Sequence, residues 1–215
     1  MPAPVAVDVI AVLQGESLDL LACTGDVIDL DCAGVEPILA AMVDLAPPLG
    51  CFLVLGNHDL LDDPQYLIDA AKDHGITVLK NERIAIDRGP DRLHIAGIKW
   101  ARTPSENACC VDEVCSKGEI DLLLAHNPKA FDAAAAHDVA MTLSGHTHGG
   151  QIALRNRPKA NMAVAHRRSA GLYEQGESRM FVSVGVGSWF PLRINCPAEL
   201  AVLTMRHDSP SCDGC

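Results

Sequence analysis

Long uninterrupted apolar runs are absent from this chain, and no segment approaches the length of a membrane-crossing helix. Clustered cations are scarce too: 17 Lys and Arg stand against 28 Asp and Glu, for a formal net charge of −11. Phosphate backbones and anionic membranes require cation clusters, and His166-Arg167-Arg168 is too short to make one, so no nucleic-acid surface is expected. The start Met1-Pro2-Ala3-Pro4 lacks the positive residues of an export signal, which favours a cytoplasmic protein. Aromatic residues make up 4% of the chain, so Trp189 and Phe190 fit a substrate mouth and a packing anchor equally well.

What is present suffices for a substantial core, expected as one domain over 1–207 with a flexible Cys-containing tail over 208–215. The nine cysteines are odd in number, and Cys23 and Cys51 lie inside apolar strand patterns, so a reducing compartment is the simpler fit. Cys109, Cys110 and Cys115, and the terminal Cys212 and Cys215, each offer only part of a zinc-knuckle spacing.

Apolar residues recur at helical spacing from Val5 to Gln14. Asp19 to Thr24 then reads as a buried strand, Gly34 to Leu45 as a helix stopped by Pro47-Pro48, and Cys51 to Leu55 as a second strand. Gln65 to His74 is the next helix and Ile76 to Leu79 the next strand. This alternation implies parallel pairing. Arg83 to Asp87 and Arg92 to Ile98 flank Gly89-Pro90-Asp91 as a hairpin. Ser105 to Lys117 and Pro128 to Ala136 read as helices around the strand Ile120 to Ala125. Val139 to Ser144, Gln151 to Leu154, Met180 to Val184 and Leu200 to Met205 complete a strand-rich second half. The expected fold is α/β: two packed β-sheets with helices on their outer faces, one sheet more parallel and the other more antiparallel.

Four apolar strands end in metal-ligand residue types: Gly25-Asp26, Gly56-Asn57-His58-Asp59, His126, and Gly145-His146-Thr147-His148. In three of them a glycine comes first, letting the backbone turn sharply and approach an ion closely. His146 and His148, two apart, share one side of an extended segment. Imidazole, amide oxygen and carboxylate together suit borderline or hard divalent metals. His74, His94, His137, His166 and His207 carry no spacing argument and receive no role.

In these ordered motifs the sequence resembles the calcineurin-like metallophosphoesterase superfamily, and its endings Pro191-Leu192-Arg193-Ile194 and Pro197-Ala198-Glu199-Leu200 resemble the small bacterial phosphohydrolase branch. The resemblance implies a four-layer α/β/β/α sandwich that hydrolyses phosphate mono- or diesters through metal-bound hydroxide. It implies two divalent ions (Mn, Fe or Zn) bridged by Asp26. One ion would take Asn57, His126 and His146 as well, the other His148. His58 would then contact the phosphate or protonate the leaving group, with Asp59 orienting its ring.

One part of the family pattern is lacking. No Asp-x-His triplet occurs upstream of Gly25, and the strand expected to carry it is missing. Asp8 falls inside the first helix, and Asp19 and Asp29 flank the following strand. A missing strand removes two ligands and exposes backbone hydrogen-bonding groups. The expectation is a weak or empty first ion site and impaired catalysis, with a truncated gene model or fragment as the preferred explanation. If the true start lies upstream, the chain is membrane-associated or exported. The alternative is a degenerate domain that binds one metal or a phosphorylated ligand without turnover.

Overall fold

The computed structural model describes residues 3–188 and 190–206. The elements run α1 (Ala3–Ala11), β1 (Leu21–Cys23), α2 (Val35–Val43), β2 (Cys51–Leu53), α3 (Pro64–Asp73), β3 (Thr77–Val78), β4 (Glu82–Arg88), β5 (Asp91–Gly97), α4 (Pro104–Cys115), β6 (Leu122–Leu124), α5 (Phe131–Ala136), β7 (Met141–Ser144), β8 (Ala153–Leu154), β9 (Arg157–Asn161), β10 (Gly171–Gln175) and β11 (Ser178–Val182). Two helix starts show how local chemistry sets the boundaries. The Asp63 carboxylate accepts from the amides of Gln65 and Tyr66 ahead of α3. Thr103 and Glu106 form a reciprocal capping box at α4, which satisfies amides that the first turn leaves without partners.

Strands β1, β2 and β3 form a parallel three-stranded sheet in that order. The second sheet has six strands, ordered β10-β11-β7-β6-β5-β4. Its centre, from β11 through β7 and β6 to β5, is parallel, and only the edge pairs β10–β11 and β4–β5 are antiparallel. The second sheet is thus the more antiparallel of the two, as expected, although its centre is parallel. Helices α4 and α5 each carry the chain back between neighbouring central strands, and such crossovers enforce parallel pairing.

Side-chain alternation builds the layers. Phe52 and Val54 point from the β2 segment toward Ile95, Leu122, Leu124 and Met141 in the core between the sheets. Cys51, Leu53 and Leu55 point the other way, onto the apolar faces of α2 and α3. Leu123 and Ala125 face Val111 and Val114 of α4 on the far side of the second sheet. The order across the molecule is helix, sheet, sheet, helix, which makes it a mixed α/β fold with two main sheets flanked by helices.

One strand expectation needs revision. Leu200 to Met205 forms no strand, and Leu200, Val202, Leu203 and Met205 are exposed. An apolar β-prone run becomes a strand only beside an edge that pairs with it, and none of the described residues supplies one. The strands β9 and β10 were not expected; both are largely exposed edge strands, so their sequences carry little apolar alternation. The resemblance would place another strand ahead of α1; among the described residues α1 is the first element and β1 lies at one edge of its sheet.

Candidate metal centre

The turns after β1 and β2, from one sheet, meet those after β6 and β7, from the other. Their closeness depends on glycine. A Cβ on Gly25 (φ 97°) would stand 2.4 Å from the Gly56 nitrogen, and one on Gly56 would stand 2.1 Å from Asp26 Oδ1. Asp59 fixes this contact. Its buried carboxylate accepts from the amides of Asp26 (2.7 Å) and Gly56 (2.8 Å) on Oδ2, and from Val27 (2.8 Å) and Ile28 (3.2 Å) on Oδ1. The His58 amide in turn donates to Asp26 Oδ1 at 2.9 Å.

This scaffold leaves Asp26 Oδ2 aimed at His126 Nε2, 3.1 Å away, without the alignment of a hydrogen bond. His126 Nδ1 lies 2.6 Å from the Thr24 carbonyl, which can only accept, so the ring proton sits on Nδ1. In the neutral ring, Nε2 therefore presents a lone pair to a carboxylate lone pair. A cation between them removes that repulsion. Donors bound to one ion at about 2.0–2.2 Å stand about 3 Å apart, as these two atoms do.

The ligand atoms of Asp26, His126 and His146 all lie within 4.8 Å of one another, and no other such group of His, Cys, Asp or Glu occurs among the described residues. Asn57 Oδ1, His146 Nδ1 and His148 Nδ1 are also buried without hydrogen-bond partners. Buried polar atoms left unpaired cost free energy, so this concentration of them fits a divalent ion. Asp26 (φ 56°), His146 (φ 68°), His148 (φ 49°) and Gln151 (φ 59°) all occupy left-handed backbone conformations, the kind of strain that gathers at functional sites.

The electrostatics keep ligands in their metal-binding forms. Burial, reinforced by His126 and His166, pushes the His146 imidazole down to about 3. Burial likewise lowers His148, with Asp26 opposing the shift and Arg193 adding to it. For Asp26, burial works upward, and the His58 amide that donates to Oδ1 works against it.

The expected site residues thus have distinct places. Asp26, His126 and His146 converge, Asn57 directs a buried oxygen from the β2 turn, and His148 lies outside the mutually close group. Asp59 does not orient the His58 ring as expected. Its oxygens face backbone amides, whereas His58 Nδ1 pairs with the Asp29 carbonyl at 2.7 Å. Asp8 is exposed on α1, and Asp19 accepts from Arg88 at 3.0 Å. Cys109, Cys110 and Cys115 lie on α4, where Cys110 packs into the core. Cys212, Cys215, His207 and Trp189 lie outside the described residues. Arg193 bonds the carbonyls of Val184, Gly185 and Cys196, securing the loop beneath His148.

Two neighbours of the centre had no sequence signal. Trp100 packs against both His126 and His146, with ring centroids 5.3 Å and 4.8 Å apart. His166 stands edge-on to His146 at 5.0 Å.

The two-sheet fold and the convergence of Asp26, His126 and His146 match the phosphoesterase class. The calcineurin-like phosphoesterase profile matches residues 5–150, and the chain belongs to that family. It is 30% identical to the phosphodiesterase YaeI of Escherichia coli, over 95% of this chain and 77% of that one. It is also 30% identical to an uncharacterized metallophosphoesterase of Campylobacter jejuni, over 89% of this chain but 51% of the relative. A Helicobacter pylori relative is matched over 52% of its length, so the chain spans about half of these two proteins. Among solved structures, phosphopantetheinyl hydrolase PptH from Mycobacterium tuberculosis aligns with a TM-score of 0.47 and 12% identity over 77% of this chain and 78% of that one.

Proposed function

We propose that this chain is a metal-dependent phosphoester hydrolase in which Asp26, Asn57, His126 and His146 hold one divalent cation. The observation that carries this reading is the unbonded approach of Asp26 Oδ2 and His126 Nε2 at 3.1 Å, with further orphaned donor atoms around it. These residues would hold a divalent Mn, Fe or Zn ion, which would supply Lewis-acid polarisation of a phosphoryl oxygen and a more acidic water. His148, with a share of Asp26, offers only a poor second position, so we infer that a second ion binds weakly.

The protein's own groups supply the rest. His58, with Nδ1 tied to the Asp29 carbonyl, keeps Nε2 for proton exchange with the leaving oxygen. Asp59 acts as a positioning residue that holds the Asp26 and Asn57 turns together. The substrate is a phosphate mono- or diester; YaeI, a phosphodiesterase by name, makes a diester the first to try.

The test is metal content by mass spectrometry alongside turnover of a bis-aryl phosphodiester, with and without added Mn²⁺. We expect one tightly held ion per chain, lost in His146→Ala together with turnover. Retention of both metal and turnover in that variant would refute the site. One tight ion with no turnover under excess Mn²⁺ would refute the hydrolase reading while keeping the metal centre.

A further inference from the structure

The segment between β9 and β10 has no regular structure, yet it is tightly fastened to the turn that carries His146 and His148. Thr147 Oγ1 donates to the Ser169 carbonyl at 2.6 Å, inside that turn's own sequence. A Cβ on Gly150 (φ 61°) would stand 2.2 Å from the Ala163 nitrogen, so the two segments touch backbone to backbone. Asn161 bonds Ser169 Oγ at 2.9 Å, and Arg168 reaches Asp132 at 2.7 Å while lying over the Phe131 ring. These bonds set the position of the one imidazole on the segment. His166 stands 5.0 Å from His146, ring centroid to centroid, nearly the spacing of His126 to His146 (5.1 Å).

His166 Nδ1 is buried and has no hydrogen-bond partner, like Asn57 Oδ1 and His126 Nε2 at the centre itself. It is nevertheless outside the group whose ligand atoms are mutually close. Such a group, beside an ion but not among its ligands, is placed to meet whatever the ion holds. Trp100 flanks His146 as well, its ring centroid 4.8 Å away. An imidazole and an aromatic face beside the proposed ion suit an anionic ester carrying an organic group.

We propose that His166 is a substrate-contacting residue that donates its Nδ1 hydrogen to a non-bridging phosphate oxygen. This rests on the phosphoesterase reading above. The test uses the full chain loaded with Mn²⁺ and orthophosphate as the probe, with affinity measured by titration calorimetry and metal content by mass spectrometry. His166→Ala is expected to keep its ion and to bind orthophosphate about tenfold or more weakly, the loss typical of a hydrogen bond to a charged group. His166→Asn, whose amide nitrogen overlays the imidazole Nδ1, should recover most of that affinity, and it keeps the question open to test if the alanine variant folds poorly. Unchanged phosphate affinity in His166→Ala, with wild type binding both ion and phosphate, would overturn this assignment alone. Loss of the ion in His166→Ala would also overturn it, making His166 a support of His146. A wild-type protein that holds the ion but binds no phosphate would overturn the hydrolase reading and this assignment together.

Discussion

Replacing Asp59 with asparagine changes one atom at the point where two site-forming turns are joined. The carboxylate divides its donors evenly, with the Asp26 and Gly56 amides on Oδ2 and those of Val27 and Ile28 on Oδ1. Asparagine keeps one oxygen, so two buried amides would face an NH₂ group. Each unsatisfied buried donor costs about 1–3 kcal/mol, giving about 2–6 kcal/mol in all. An opposing effect exists: burial pushes the Asp59 carboxyl up, so a neutral side chain escapes a desolvation cost. The amide bonds win because the carboxylate makes four of them, charge-assisted, and the substitution also sets donor against donor. For a chain of this size each kcal/mol shifts the melting temperature by about 2–4 °C, so the metal-free variant should melt on the order of 10 °C lower. Calorimetry on chelator-treated protein measures this, and metal titration should show weaker binding because Asp26 loses its support. A melting temperature within about 2 °C of wild type, with unchanged metal affinity, would refute the positioning role.

Gly56→Ala should weaken metal binding more than it lowers stability, since its Cβ would fall 2.1 Å from Asp26 Oδ1 and 2.6 Å from His126 Cε1; comparing metal titrations with urea unfolding separates the two effects. The metal-free protein should lose stability as pH falls, because the buried His146 resists the proton that the unfolded chain accepts near 6.5. That stability is complete above pH 6.5 and is lost as pH falls toward about 3, amounting to about 2 kcal/mol between pH 7 and pH 5. His146→Gln should flatten this part of the profile, and an unaltered slope in urea titrations would contradict it. Leu124→Ala, between the two sheets and fully buried, should cost about 2–5 kcal/mol in urea unfolding and leave the ion in place.

The fold was largely legible because the alternation of faces is written into short runs such as Cys51 to Leu55, whose residues divide between two cores. The convergence of Asp26 and His146 was legible because each follows a glycine at a strand end, as at Gly25-Asp26 and Gly145-His146. Leu200 to Met205 misled because β-propensity says nothing about whether a partner edge is present. The part played by Asp59 left no trace, since backbone amides look alike in any sequence. Trp100 and His166 reach the centre through the packing of segments distant in the chain, and neither lies in a repeating pattern that could mark it.

Asp26 and Asn57 extend from the three-stranded sheet, whereas His126 and His146 extend from the six-stranded one. A cation shared among them would be a removable rivet through the seam between the two layers. Its withdrawal should be felt well beyond the ligands, as quicker deuterium uptake by amides on both sides of that seam, and the chelated protein would be the looser molecule even with every helix and strand still formed.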